Sequence, residues 1–326
     1  MRLFRVAYTS LLLLAITLVF NATAQAQIQQ AFVSAQTGDD AHPCTVLKPC
    51  RTFGQALSQV AFGGEVTALD SGDYAPFTIR QAVTVQAAPG VYAGVVTQTP
   101  NSAAVEVIAD KPDVVVLRGL TLNGMSTGQN GAGTGIRFVS GGVLRVESCV
   151  ISGFREEGIS FAFAGELFVR DTALKGKHVA NNPSAGIFPS FVGIRIRADS
   201  GLAKASIERS RVEGFNNGIR AEENTLVTIR DTVAVSNSTG FIALPAAAKT
   251  TTEMNLENCV AANNGEGIVS GGVSTSVSIV RVSNSTVTNN GIGLEPMGSS
   301  QIISRGNNTV EGNAIGQSFS GTFLPK

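Results

Sequence analysis

The sequence predicts an all-β fold, a right-handed parallel β-helix solenoid with a short N-terminal capping helix, and three observations carry that prediction. First, a glycine followed by an apolar residue recurs at Gly135-Ile136, Gly158-Ile159, Gly193-Ile194, Gly218-Ile219, Gly240-Phe241, Gly267-Ile268 and Gly291-Ile292, with Ala314-Ile315 as a weaker eighth step. The gaps are 23, 35, 25, 22, 27, 24 and 23 residues. Second, a short strand recurs between the steps, in LRVESCVISGF, LFVRDTALKG, ASIERSRVEGF, VTIRDTVAVSN, MNLENCVAANN and VRVSNSTVTNN. Each has apolar residues at alternate positions, then a small residue, then another apolar stretch, which is the pattern of short parallel strands stacked coil on coil. Third, 43% apolar residues, 36 glycines, no tryptophan and repeated Asn-Asn and Asn-Gly pairs describe many short strands joined by tight turns. A leucine-rich repeat would need a denser leucine comb, and a propeller blade needs roughly 40 residues.

Residues 1–26 read as a cleaved signal peptide. Arg2 and Arg5 precede an apolar run from Leu11 to Phe20, and Ala22-Thr23-Ala24 and Ala24-Gln25-Ala26 supply small-x-small sites, placing the mature start at Gln27. The run is short for a membrane span, which needs roughly 20 residues, and no later segment is apolar enough to cross a bilayer. Export puts the mature chain in the periplasm or outside the cell, where close cysteines cross-link. Cys44 and Cys50, in CTVLKPC, therefore read as a disulfide.

Residues 27–62 read as an N-terminal entry with the capping helix. TFGQALSQVA, Thr52 to Ala61, places Phe53, Ala56, Leu57 and Val60 on one helical face, and Gly63-Gly64 ends it. Such a helix covers the open end of a solenoid. The β-helix then occupies residues 63–326, its first strands beginning at Glu65–Leu69 and Phe77–Ile79.

Aligning the coils gives columns. Cys149, Thr172, Ser210, Thr232, Cys259 and Ser285 form one of small residues at an inner corner. Cys149 and Cys259 lie four coils apart, about 19 Å at roughly 4.8 Å per coil, too far to bridge; they read as buried free thiols. Five residues on, Phe154, Lys177, Phe215, Asn237, Asn264, Asn290 and Asn313 form another, whose C-terminal members predict an asparagine ladder. Glu147, Arg170, Glu208, Arg230 and Glu257 alternate in sign, as do Asp171, Arg209 and Asp231, so both read as structural charge ladders.

The stretches FVSAQTGDDAHPC, KPCRTFGQAL and GGEVTALDSGDY resemble the N-terminal entry of secreted bacterial pectin-lyase-like right-handed β-helix proteins, and with the repeat the resemblance spans residues 31–315. It implies the fold and a carbohydrate-related role. That scaffold serves lyases, hydrolases, epimerases and adhesins alike, so activity must come from the site.

The catalytic motifs of those branches are missing. The family's galacturonan hydrolases carry paired Asp and Gly-His-Gly motifs, whereas the one adjacent pair here, Asp39-Asp40, lies in the entry, and neither His42 nor His178 sits between glycines. A calcium-dependent lyase gathers oxygen ligands on one face, but Asp110, Asp113, Asp171, Asp199 and Asp231 are spread along the chain. No Asp-Pro-His-Glu epimerase motif occurs. The sequence points to no cofactor, no metal, and away from catalysis of these kinds, toward an exported non-enzymatic β-helix that binds carbohydrate or another envelope polymer, with a divergent polysaccharide lyase acting on a uronate polymer and a purely structural envelope module as the alternatives.

One outward column breaks the charge alternation: Arg137, Ser160, Arg195 and Arg220 follow the Gly-apolar step. Arg195 and Arg220 become like-charged neighbours. Either Arg197 beside Glu222, with Asp199 and Glu223 near, compensates them from within, or the guanidiniums grip the carboxylates of an acidic polysaccharide. The 35-residue interval inserts about ten residues beside Arg195, and a loop projecting from a solenoid is a common place for binding groups; KGKHVANNPSAGIF brings Lys175, Lys177 and His178 there. The candidate ligand patch is thus Arg137, Arg195, Arg220, Lys177 and His178. With 24 basic and 24 acidic residues the net charge is zero, which gives no support to nucleic-acid binding, and nothing in the sequence specifies an oligomeric state.

Overall fold

The computed structural model describes residues 27–324 except 126–131, 177–190, 248–249 and 274. The expected signal peptide and two members of the candidate patch, Lys177 and His178, therefore lie outside the described residues.

The chain is the right-handed parallel β-helix that its repeat predicts. Each coil visits three sheets in turn: Val143–Glu147 lies in the first, Val150–Ser152 in the second and Glu157–Phe161 in the third, after which Gly165–Arg170 re-enters the first. Among the described residues the first, second and third sheets have 12, 10 and 9 strands. Neighbouring coils lie flush, so that Glu147, Arg170, Glu208, Arg230 and Glu257 follow one another in register. Alternation turns every second side chain inward. In one coil Leu144, Val146, Ile151, Ile159 and Phe161 are all buried, and their counterparts above and below make one continuous core.

Strand hydrogen bonds satisfy the sheets but not the corners, and side chains complete the accounting. Between the first and second sheets the corner residue has a left-handed backbone, with φ of 53° at Ser148, 51° at Asp171, 44° at Arg209, 49° at Asp231, 51° at Asn258 and 47° at Asn284. The next residue is the small one. Thr172 Oγ1 donates to Arg170 O at 2.9 Å and accepts the Cys149 N–H at 3.3 Å; Ser210 and Ser285 repeat the arrangement for Thr172 and Cys259. Small size is needed because the group must reach its own strand and the coil before it.

The second corner carries the asparagine ladder. Asn264 Oδ1 accepts the Asn237 N–H at 3.0 Å, and Asn290 and Asn313 do the same for Asn264 and Asn290 at 2.9 and 3.0 Å. Each of these Nδ2 groups also donates inward to a carbonyl, Asn264 to Ala234 at 3.1 Å. At Phe154 and Phe215 the same position is filled by buried rings.

The N-terminal end is closed as expected, by helix α1 (Phe53–Gln59). Thr52 caps it by accepting the Gln55 N–H, and Phe53 packs 5.0 Å from the Tyr74 ring and 4.8 Å from Phe77. The helix stops before the glycines expected to end it. Val60 is already extended, because the strand Val60–Ala68 pairs with Ile28–Val33 and that pairing wins over local helical pattern. The alternating-charge column is aligned but only partly bonded. Arg118 and Arg170 reach Glu147 at 2.9 and 3.6 Å, and Arg209 meets Asp171 at 2.8 Å, yet among the described residues Arg230 has no ion-pair partner.

Cys44 and Cys50 form the disulfide. Cys149 and Cys259 are free and buried, and burial pushes both thiols up to about 11. At pH 8 a soluble disulfide reagent should therefore label no cysteine in the native protein and two per chain in guanidinium without reductant. Prompt native labelling would contradict the corner packing.

Candidate functional site

The outer face of the third sheet is built, in the coils of Gly135, Gly158, Gly193, Gly218, Gly240 and Gly267, by the residue after the Gly-apolar step, which alternation turns away from the core. In the next coil the step in register is Gly293-Leu294 rather than the expected Gly291-Ile292, because the asparagine ladder aligns Asn290 with Asn264, and Ile315 likewise sits beside Ile292. In register it runs Thr78, Glu106, Arg137, Ser160, Arg195, Arg220, Ile242, Val269 and Glu295. Arg195 and Arg220 are direct neighbours, as the column predicts, while Arg137 stands apart beyond Ser160. Such like-charged neighbours are unfavourable unless compensated.

Glu222 supplies much of the compensation. It lies two residues beyond Arg220, is 2% exposed, and accepts from Arg195 Nε at 2.9 Å and from Arg220 Nε at 2.5 Å, one carboxylate oxygen to each. Arg195 Nη2 is 2.8 Å from the same Oε2, and its Nη1 donates to Glu157 at 3.0 Å. Burial alone would lower the Arg195 guanidinium, but its hydrogen bond to Glu157 and the charge and hydrogen bonds of Glu222 outweigh burial and raise it. Internal compensation is thus real: Glu222 takes part as expected, but on Arg195 and Arg220 rather than beside Arg197, and Glu157 joins it in place of Glu223 and Asp199. Glu223 instead accepts the Ala246 and Ala247 N–H groups at 2.7 and 3.0 Å, and Arg197 lies 3.9 Å from Asp199. Glu157 was overlooked. Strict alternation from outward Ser160 would turn it inward; it reaches Arg195 because it stands at the start of the strand Glu157–Phe161, on the coil beneath, where period two does not announce it.

The three arginines are left in different states. Arg195 is engaged through Nε, Nη1 and Nη2. Arg137 donates from Nη2 to Asn101 O at 3.1 Å, stands 3.7 Å from Glu106, and lines a groove of about 310 Å³ with Phe77, Thr78 and Ser102. Arg220 is held through Nε alone. Its side chain is 20% exposed, and among the described residues no group meets its Nη1 and Nη2.

Farther along, the column changes character. Ile242 and Val269 are buried although outward, and Glu266, at the start of the strand that carries Val269, accepts from Thr239 at 2.8 Å and hydrogen-bonds with Glu295 of the following coil. Burial, then the charge of Glu266 and the hydrogen bond between the two carboxyls, raises Glu295. The face therefore runs from cationic through apolar to acidic. Among the described residues no three of His, Cys, Asp and Glu converge as a cation cage requires.

No protein-family model and no curated protein matches this sequence. Solved structures do match in fold. A pectate lyase, Pel9A, aligns with a TM-score of 0.68 at 14% identity, over 92% of this chain and 79% of its own. XylC in complex with xylose aligns with a TM-score of 0.61 at 9% identity, over 84% and 68%. An alginate lyase from Paenibacillus sp. str. FPU-7 aligns with a TM-score of 0.58 at 14% identity, over 90% and 99%. At these identities the likeness is one of fold.

Glu222→Gln should leave two adjacent guanidiniums short of a counter-charge and lower stability by about 2–3 kcal/mol. The check is thermal unfolding at low and high salt, with the largest loss at low salt.

Proposed function

We propose that this protein is an exported, non-enzymatic β-helix that binds an acidic carbohydrate polymer along the outer face of its third sheet, through Arg220 and Arg137, with Arg195 positioning Arg220 through Glu222. Lys177 and His178, which the sequence adds to the patch, lie outside the described residues and belong to the proposal on the sequence alone. The observation that carries the reading is the state of Arg220: Nε is fixed on a buried carboxylate, while among the described residues no hydrogen bond or ion pair engages Nη1 or Nη2. A guanidinium held that way offers a pre-oriented fork to a carboxylate and loses little side-chain freedom on binding.

The flush coils support a polymeric ligand, because they repeat outward groups at strand spacing. The disulfide supports an oxidising compartment, and no helix among the described residues is long and apolar enough to cross a membrane. Two fold neighbours are lyases of pectate and alginate, both uronate polymers. Those names favour a second reading, a divergent uronate lyase, which predicts unsaturated products that absorb in the ultraviolet.

On polygalacturonate or alginate beads the wild type should be retained in a salt-dependent way. Arg220→Ala should weaken retention about tenfold, the loss of one charge-assisted contact of about 1.5 kcal/mol, with a modestly lowered melting temperature because Glu222 keeps only Arg195, and with an unchanged circular-dichroism spectrum showing that the variant is folded. Unchanged retention excludes the arginine face, no retention of the wild type supports a purely structural module, and release of unsaturated products establishes the lyase.

A further inference from the structure

The first sheet carries a separate feature that neither the arginine face nor the core requires. Its outward side chains on Gly165–Arg170, Ala203–Glu208 and Thr225–Arg230 stand in register over three successive coils. The middle column drops from Phe168 to Ser206 and Thr228, while the flanking columns keep long side chains, including Glu166 and Lys204 on one side and Glu208 and Arg230 on the other. Small residues between long ones leave a groove of about 370 Å³, within the range of roughly 300–1,000 Å³ of small-ligand sites. It lies over about 10 Å of the solenoid axis, two coil spacings.

Phe168 closes one end. The Arg145 guanidinium, from the preceding coil, lies 4.3 Å from its ring centroid and covers one face. Phe168 and Ser206, its neighbour in the following coil, both line the groove. Phe168 is an outward, part-buried phenylalanine that carries a cation against its ring and lines the groove, so it supplies the groove with apolar surface.

The walls say what the groove would hold. Glu166 and Glu208 balance Lys204 and Arg230, so an anionic ligand gains from two residues what it loses to the other two. Pairing within the walls is loose, with Lys204 3.8 Å from Glu166 and Arg230 without an ion-pair partner among the described residues. Ser206 donates weakly to Glu208 at 3.4 Å. Alternating donors and acceptors beside an aromatic ring suit a ligand in which each polar group both donates and accepts and whose ring has an apolar face. A sugar hydroxyl does the first, and a pyranose ring does the second.

We infer that this groove is a second carbohydrate site, independent of the arginine face, which takes a short run of neutral pyranose units stacked on Phe168. Calorimetric titration of the full chain with xylohexaose and cellohexaose tests it. Saturable binding of at least one is expected. Phe168→Ala should weaken it about tenfold, Phe168→Tyr should preserve it, Thr228→Arg should abolish it by filling the floor, and Arg220→Ala should leave it unchanged. Melting temperatures near wild type confirm that the variants fold. Absence of heat with both hexasaccharides at millimolar concentration, or Phe168→Ala and Thr228→Arg variants that bind like wild type, overturns the inference and leaves the arginine face untouched.

Discussion

What holds the coils flush is the capture of corner N–H groups by side chains of the following coil. A parallel sheet satisfies its own strands, but a solenoid must bend three times per coil, and every bend strands polar backbone groups. Asn264, Asn290 and Asn313 resolve this at one corner, and Thr172, Ser210 and Ser285 at another, each accepting an N–H from the coil before. A single such bond contributes about 0.5–1.5 kcal/mol net, while leaving a buried partner unpaired costs about 1–3 kcal/mol. The ladders therefore favour one register over slipped alternatives more strongly than their net energy suggests.

That register is what turns remote residues into neighbours on the surface. Arg195 and Arg220 are 25 positions apart in the chain and side by side on the sheet, and their proximity is tolerable because Glu222 and Glu157 share the charge. Enough is left over at Arg220 for an outside carboxylate. On the first sheet the same stacking aligns Phe168 with Ser206 and Thr228 and makes a groove of balanced charge. One scaffold thus presents two faces with different chemistry.

Features repeated coil after coil were legible in the sequence. The glycine steps from Gly135 to Gly267, the small corner column, the asparagine column and the separation of Cys149 from Cys259 all follow from period and residue size, whereas the step after Gly267 falls at Gly293-Leu294 and not at Gly291-Ile292. What escaped depends on long side chains choosing among several partners within reach. Glu157 approaches Arg195 on the diagonal, Glu223 prefers two backbone N–H groups to an arginine, and Arg230 has no ion-pair partner among the described residues, in keeping with the small contribution, about 0–1 kcal/mol, of an exposed ion pair. The early end of helix α1 at Val60 has another cause. Pairing with Ile28–Val33 is a contact between segments distant in sequence, and no local pattern announces it. The groove at Phe168 was missed because a phenylalanine in an alternating strand reads as ordinary unless its outward phase is checked.

The most direct test of the ladder account is a double-mutant cycle on Asn264 and Asn290, with stability of Asn264→Ala, Asn290→Ala and the double variant measured by urea unfolding. The two side chains are bonded to each other, Asn264 Nδ2 donating to Asn290 Oδ1 at 3.0 Å, and Asn290 Oδ1 also accepts the Asn264 N–H. A coupling energy of about 1 kcal/mol or more is predicted, within the range seen for residues in one hydrogen-bond network. Strict additivity would contradict the claim that these side chains hold adjacent coils together.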